Sequence, residues 1–231
     1  MHGESSKFNY RLAEVFYKLK DYPACIYYAN KAFLSDNTAH YKNYANNIIA
    51  SSMSKLKMAK SSEDYLNLLT SIATWDKMPI KVWFQPTNLN INLESALQAW
   101  QKYLAPTASF KVVYDKNDAD ITVSFADEDQ VRKFCNKVEE REIIGGCTRV
   151  STQLNTINKA EILLNMLDKE NTKFTNVTIY SVLVHEIGHA IGIVGHSENK
   201  YDIMSAKTSQ YNYFSYPTKR DLTTVLKLYS R

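Results

Sequence analysis

Residues 176–204, NVTIYSVLVHEIGHAIGIVGHSENKYDIM, begin with a nearly continuous apolar run that ends at Gly192. A run of this kind predicts a helix that is buried on most of its sides. Thr175 and Asn176 are the two candidates for its N-cap, because either side chain can accept a hydrogen bond from the first turn. Gly192 can adopt the left-handed conformation that reverses the chain, so we expect the helix to end there.

Three histidines lie in this helix and just after it. His185 and His189 are four residues apart, so their imidazoles project from one face about one turn apart, as two ligands of a tetrahedral zinc must. A chain reversed at Gly192 can return His196 as third ligand and leave the fourth position open, which is typical of catalytic zinc sites. Glu186 is offset from the pair, where a carboxylate acts as general base on a water molecule rather than as a ligand.

The stretch HEIGHAIGIVGHSENKYDIM resembles the metzincin signature and, within that clan, the matrixin branch. Ser197, directly after the third histidine, matches the residue that matrixins have at this position. Met204 matches the methionine of the turn that underlies the zinc. Four other segments are similar to the first strand, first helix, third strand and closing helix of a matrixin domain: PIKVWF, LESALQAW, ADITVSFAD and PTKRDLTTVLKLYS. The resemblance covers residues 79–231.

This resemblance implies both a fold and an activity. The fold is a zincin catalytic domain with a mixed, mostly parallel five-stranded sheet and a long active-site helix. The activity is that of a zinc-dependent endopeptidase, in which Glu186 activates a zinc-bound water and one catalytic Zn²⁺ is held by His185, His189 and His196. The implied partner is a protein or peptide substrate.

The sequence departs from the family pattern at three points. Residues 193–195 separate Gly192 from His196, one residue more than the family's usual two, and a glycine at position 195 can absorb the difference. Asp202 is the alternative third ligand, although its place near the methionine favours a supporting role for the turn. Structural Ca²⁺ has no support, because no acidic, glycine-rich calcium loop is present, and Ala206 stands where some metzincins have a tyrosine ligand.

The chain before the histidine motif alternates between strand-like and helix-like segments, which is typical of α/β packing. A charged stretch at 127–142 is interpreted as a surface helix or loop, and Gly145-Gly146 as a break. The predicted strands are 80–84, 110–114, 121–125, 147–150 and 160–164, and the predicted helix is 93–104.

Residues 1–77 have helical spacing throughout and form a predicted all-helical segment, separate from a catalytic domain at 78–231. Part of the segment resembles one tetratricopeptide repeat, with an unrelated helical hairpin as the alternative. Its role is a docking surface for a protein partner, a brace for the catalytic domain or a plain helical cap. The positions that carry the resemblance are Leu12, Ala13, Phe16, Tyr22, Cys25, Ala29 and Ala32, followed by the turn at 35–37.

Composition excludes several other classes of protein. The formal charge of +4 is mild and its basic residues are scattered, so we expect no nucleic-acid partner. No apolar run approaches the roughly 20 residues that span a bilayer, and the start MHGESSKFNY lacks the apolar core of a signal peptide. An extracytoplasmic site is favoured if a leader was trimmed, and a cytoplasmic one otherwise.

The remaining candidates are cysteines and tyrosines. Cys25, Cys135 and Cys147 are odd in number and widely spaced, so we expect neither a disulfide framework nor a zinc ribbon. The surroundings of Cys147, GGCTRV, do not match the inhibitory cysteine motif of matrixin zymogens. Tyrosines at 211, 213 and 216 occupy the place of the family's specificity-pocket wall, although packing is the favoured role for each.

Two rival functions share these residues. In the first, the N-terminal helices recruit a partner and the zincin domain is a metal-stabilised scaffold without turnover. In the second, the chain is a zinc hydrolase that acts on a non-peptide substrate.

Overall fold

The computed structural model describes the backbone of the chain over most of its length. The described residues are 2–20, 25, 28–29, 31–33, 39–55, 64–89, 91–104, 108–136, 144–166, 174–206 and 216–229.

Five strands in the described part of the chain form one mixed sheet, as expected. The strands are β1 (Ile80–Phe84), β2 (Phe110–Val112), β3 (Ile121–Ala126), β4 (Gly146–Gln153) and β5 (Thr156–Asn165), in the order β2-β1-β3-β5-β4. The pairs β1–β2, β1–β3 and β3–β5 are parallel, and β4 runs antiparallel to β5 along one edge. The predicted fold, a mostly parallel sheet with helices, is therefore confirmed.

The β4–β5 hairpin is longer than the sequence indicates. The strands were predicted at 147–150 and 160–164, whereas pairing continues outward to Gln153 and Thr156, and Gly146 begins a strand instead of breaking the chain. Residues 151–155 are exposed on both faces, so the alternation of apolar and polar residues that marks a strand is missing there. Their hydrogen-bonded partners define the strand, and a linear pattern does not show them.

The α-helices with both ends in the described residues are α1 (His2–Lys18), α2 (Ala39–Lys55), α3 (Leu93–Leu104), α4 (Glu128–Cys135), α5 (Asn176–Ala190) and α6 (Lys219–Tyr229). Helix α5 begins at the predicted cap, because Thr175 Oγ1 accepts a hydrogen bond from the Thr178 amide at 3.1 Å. Helix α4 occupies part of the charged stretch and begins with a capping box between Asp127 and Gln130.

Helix α5 is buried between the sheet and α3, as its apolar sequence predicts. Leu183, Val184 and Ile187 are fully buried in the main core. Trp100, on α3, is also fully buried, and its indole nitrogen donates to the carbonyl of Val184 at 2.9 Å. A tryptophan therefore fixes α5 at the turn that precedes the first histidine.

The N-terminal helices form a small core of their own. Ala13, Cys25, Ala29, Ala45 and Ile49 are buried there, and Tyr216 packs against both this cluster and the main core. The resemblance to a tetratricopeptide repeat stays a prediction, because Tyr22 and the turn at 35–37 lie outside the described residues.

Residues 64–77 differ from the expected all-helical segment. They contain a short 3₁₀ turn, Leu66–Leu68, followed by bends and isolated bridges at Ser71 and Thr74. Tyr65, Ala73 and Trp75 are buried in the main core with the sheet and α5. Tertiary contacts here override a local helical pattern, as they commonly do where large aromatic side chains are buried. The division into domains at residue 78 stays a prediction.

Two of the cysteines are paired, which the sequence analysis did not predict. A disulfide joins Cys135 at the end of α4 to Cys147 in β4, with the Cα atoms 6.0 Å apart. The pairing depends on α4 packing beside the edge strand, so spacing along the chain did not reveal it. Cys147 is therefore not an inhibitory thiol, and Cys25 is buried where the Ser52 hydroxyl donates to its sulfur at 3.1 Å.

Across the described residues, every helix is too short or too polar to cross a membrane.

We expect Trp100→Ala to lower the free energy of unfolding by roughly 3–5 kcal/mol, because it empties a fully buried site and removes the indole donor. Denaturant unfolding of the metal-free protein measures this loss. Trp83→Ala is the matched control, since Trp83 is only partly buried on β1 and should cost clearly less. Equal losses for the two variants would contradict the central position of Trp100 in the core.

Candidate metal centre

Helix α5 brings the first two histidines together on one face. The Nε2 atoms of His185 and His189 lie 3.0 Å apart, and the ring planes are nearly perpendicular. Two ligands of a tetrahedral zinc with Zn–N bonds of about 2.0–2.1 Å lie roughly 3.3 Å apart. The pair therefore has close to the separation that a tetrahedral metal requires.

Backbone carbonyls orient both rings. His185 Nδ1 contacts the carbonyl oxygen of Ile203 at 2.6 Å, and His189 Nδ1 contacts that of Ile193 at the same distance. A carbonyl oxygen only accepts hydrogen bonds, so each Nδ1 carries the ring proton. This tautomer directs the Nε2 lone pair of each ring into the cluster, as in the outer-shell contacts of metal-ligating histidines.

The glycine-containing loop after α5 returns His196 to the same place. Gly192 and Gly195 have φ angles of 112° and 145°, values that side-chain-bearing residues rarely adopt. The His196 ring centroid lies 5.3 Å from that of His185 and 4.8 Å from that of His189. The longer loop therefore still brings His196 to the cluster, with its second glycine in a conformation that accommodates the additional residue.

These three imidazoles form a group able to hold one metal ion, with their ligand atoms all within 4.8 Å of one another. The donor set is three nitrogens, with His196 exposed and the other two half-buried. Three imidazoles match the donor type of a catalytic zinc site, in which a fourth position is left for water or substrate.

Asp202, the alternative ligand, lies elsewhere. Its buried carboxylate accepts hydrogen bonds from Ser197 Oγ at 2.5 Å and Thr218 Oγ1 at 2.8 Å, and it pairs with Arg220 at 2.9 Å. The side chain thus links the loop after His196 to the start of α6. It supports the turn and does not join the histidines.

Glu186 is 4% exposed and contacts the edge strand β4. Thr148, in β4, donates its hydroxyl hydrogen to Glu186 Oε2 at 2.7 Å and also lies 3.0 Å from the Glu186 carbonyl oxygen. A Cβ on Gly146 would lie 3.1 Å from Glu186 Oε1, so a residue without a side chain leaves space for the carboxylate. Sequence analysis missed Thr148, because only the docking of β4 against α5 brings its hydroxyl to Glu186.

Met204 is fully buried directly beneath the histidine-bearing turn of α5. A Cβ built on Gly188 would lie 2.3 Å from Met204 Sδ and 2.9 Å from Trp100 Cζ2. Helix and methionine turn therefore meet at Gly188 with no space for a methyl group. The turn is closed by the amide of Ser197, which donates to the Met204 carbonyl at 2.8 Å.

A buried carboxylate supports the turn from below. Asp221 Oδ2 accepts hydrogen bonds from the amides of Ile203 at 3.1 Å and Thr218 at 2.7 Å, and its Oδ1 accepts one from the Tyr65 hydroxyl at 2.6 Å. Burial, followed by repulsion from Asp202, raises the pKa of the Asp221 carboxyl well above its usual range. Because Ile203 also accepts from His185, this carboxylate acts on the position of the first histidine.

Of the three tyrosines considered for the pocket wall, those at 211 and 213 lie outside the described residues. Tyr216 is partly buried between the two cores, which fits the packing role favoured from the sequence.

Fold and cluster together define a class of protein. A sheet backed by a helix that presents H-E-x-x-H, with a third histidine above a methionine turn, is the arrangement of the zinc-dependent metzincin peptidases. A family model described as Matrixin matches residues 73–230, and the chain belongs to the matrixin family. Membership makes it a metallopeptidase at the level of the family, which uses zinc. The comparison with curated proteins found no match.

We expect Gly188→Ala to destabilise the metal-free protein by about 1–3 kcal/mol, because the added methyl group overpacks the contact with Met204 and Trp100. Thermal unfolding measures the loss. Met204→Ala removes one side of the clash, so the double variant should be more stable than the two single losses would sum to. Strictly additive losses would show that the methyl group does not meet Met204.

Proposed function

We propose that the chain is a zinc-dependent endopeptidase, with His185, His189 and His196 as metal ligands, Glu186 as general base and Met204 as the support beneath the site. The observation that carries the proposal is the convergence of three imidazoles, two with ring protons directed to backbone carbonyls, with a buried carboxylate on the same helix directly after the first histidine. Membership of the matrixin family supports a peptide or protein as substrate.

The proposed reaction uses the metal and one side chain, Glu186. When bound, zinc would supply a Lewis acid that lowers the pKa of a water molecule to about 7. Glu186 accepts a proton from the attacking water and later passes it to the leaving amine, so one carboxylate serves as base and then as acid. The products are two peptides, one with a new carboxylate and the other with a new amine.

Thr148 is assigned the positioning of this base. Its hydroxyl donates to one carboxylate oxygen of Glu186, and the other, Oε1, lies on the side next to Gly146. A carboxylate held at one oxygen has fewer rotamers to lose when it accepts a proton at the other, which lowers the entropy cost of reaching the reactive geometry.

Glu186→Gln should retain zinc but reduce peptide cleavage by roughly 10²–10⁴-fold, because the amide accepts no proton from the water. Cleavage of a diverse peptide library, with zinc content measured in the same samples, makes the test. Glu161→Gln on β5 is the matched control, since its carboxylate is exposed.

A chelated wild-type sample, run beside these, should be inactive and should recover when zinc is returned. Full activity of the Glu186→Gln variant would remove the general-base assignment. Zinc retention by a wild-type protein that cuts no peptide would instead favour the scaffold function or a non-peptide substrate.

Thr148→Val should lower kcat roughly tenfold or more while zinc content and KM stay unchanged, because it removes a hydrogen bond to a charged group without changing side-chain volume. Thr148→Ser keeps the hydroxyl and should restore most of the rate. Thr152→Val is the control on the same strand, because Thr152 is exposed. Equal kcat in the Thr148→Val variant and the wild type would exclude this role.

A further inference from the structure

We infer that residues 64–75, named here the brace segment, form part of the metal site, and that Thr70 is a positioning residue for the loop that carries His196. The inference rests on the proposed function in one respect, because it takes His196 as the third ligand. It assigns a role to a segment that lies mostly before the region matched by the family model, residues 73–230.

The brace segment is hydrogen-bonded to the loop at Val194, the middle residue of 193–195. The backbone amide of Thr70 donates to the Val194 carbonyl oxygen at 2.7 Å, and the Thr70 hydroxyl donates to the same oxygen at 3.0 Å. Ser71 and Val194 form an isolated antiparallel bridge. Val194 lies within the stretch that is one residue longer than the family pattern, so these bonds hold the part of the loop that is unusual in this chain.

The two glycines of the loop lie in close contact with the backbone of the brace segment. A Cβ on Gly192 would lie 2.4 Å from the Ala73 carbonyl oxygen, and a Cβ on Gly195 would lie 2.8 Å from that of Leu68. Backbone meets backbone at both places, where no side chain can move aside. The loop therefore depends on glycine both for its positive φ angles and for the close approach of the brace segment.

Both ends of the brace segment are anchored to rigid elements. At one end, the Trp75 indole nitrogen donates to the Ala190 carbonyl at the last residue of α5, at 2.9 Å. At the other end, the Tyr65 hydroxyl donates to the buried Asp221. Asp64 also forms an ion pair with Lys227, which lies on α6. Thr70 is thus held between two fixed points while it contacts the loop.

The loop also has hydrogen bonds of its own. Within the loop, the Ile193 amide donates back to Gly188 at 3.0 Å and the Val194 amide to Gly192 at 2.9 Å. The Val194 carbonyl points the other way and meets Thr70. Glycine-rich backbone loses more conformational entropy on ordering than other backbone, so an outside contact at this carbonyl lowers the cost of holding His196 in place.

A graded set of substitutions at Thr70 tests the inference. Thr70→Ser keeps both donors to Val194, Thr70→Val removes the hydroxyl, and Thr70→Pro removes the hydroxyl and the amide hydrogen. Leu69 already has the extended conformation that a residue before proline requires, with φ −74° and ψ 132°. Thr223→Val is the matched control, because it removes a hydroxyl bond to the Lys219 carbonyl on α6.

The first readout is the rate at which the zinc-loaded protein loses its metal to a chromogenic chelator. We expect Thr70→Val to lose zinc about two- to fivefold faster than the wild type, as the removal of one exposed hydrogen bond implies. Thr70→Pro should be faster still, and Thr70→Ser and Thr223→Val should match the wild type. Equal rates across the set would overturn the inference.

The second readout requires no metal. Hydrogen exchange of the chelated protein should speed up at the amides of residues 192–197 in Thr70→Val, and not in Thr223→Val. Acceleration confined to this loop supports the brace segment, whereas unchanged exchange, or an equal increase throughout the protein, overturns it. Peptide cleavage by the same wild-type preparation tests the proposed endopeptidase function. Zinc loss and hydrogen exchange test the brace segment, so failure of one proposal can be distinguished from failure of the other.

Discussion

The hydrogen bonds from His185 and His189 to two backbone carbonyls are the interactions on which the rest of the site depends. Each bond sets a ring's tautomer and its rotation, and a ring turned away from the cluster would not offer Nε2 to a metal. The carbonyls belong to Ile203 in the methionine turn and to Ile193 in the loop after α5. Neither residue is in the helix, so the site is only as well ordered as those two irregular segments.

Much of the surrounding fold is arranged to hold these two segments. The methionine turn packs against α5 at Gly188. Its residues Ile203 and Ser197 donate hydrogen bonds to Asp221 and Asp202, respectively. Burying a carboxylate is costly, and the hydrogen bonds that Asp221 receives from Tyr65, Ile203 and Thr218 offset that cost. The raised pKa of Asp221 indicates that these bonds offset the cost only in part. The carboxyl group nevertheless fixes the backbone of Ile203.

The elements that sequence patterns predicted share one property, which is that their chemistry is local. Helix α5 follows from an apolar run with a threonine cap, and its two histidines share a face because of the helical period. The hairpin extension, the Cys135–Cys147 disulfide and the contact between Thr148 and Glu186 were missed. The disulfide and the Thr148 contact depend on the edge strand β4 meeting a helix, and the hairpin extension depends on pairing between exposed residues that lack an apolar alternation. Residues 64–77 were expected to be helical because their pattern gives no sign of the loop that they contact.

Sequence patterns alone predict the class of fold, the helix with its histidine pair, the reversal at Gly192 and membership of the matrixin family, because motif spacing and backbone preference act over a few residues. The folded structure is needed to show where His196 returns, which groups orient the rings and Glu186, and that residues 64–75 pack against the longer loop. Most of those features come from contacts between separate segments, 38 residues apart for Thr148 and Glu186 and 124 apart for Thr70 and Val194. The free energy of such contacts comes from burial and hydrogen bonds that form only when the chain is folded.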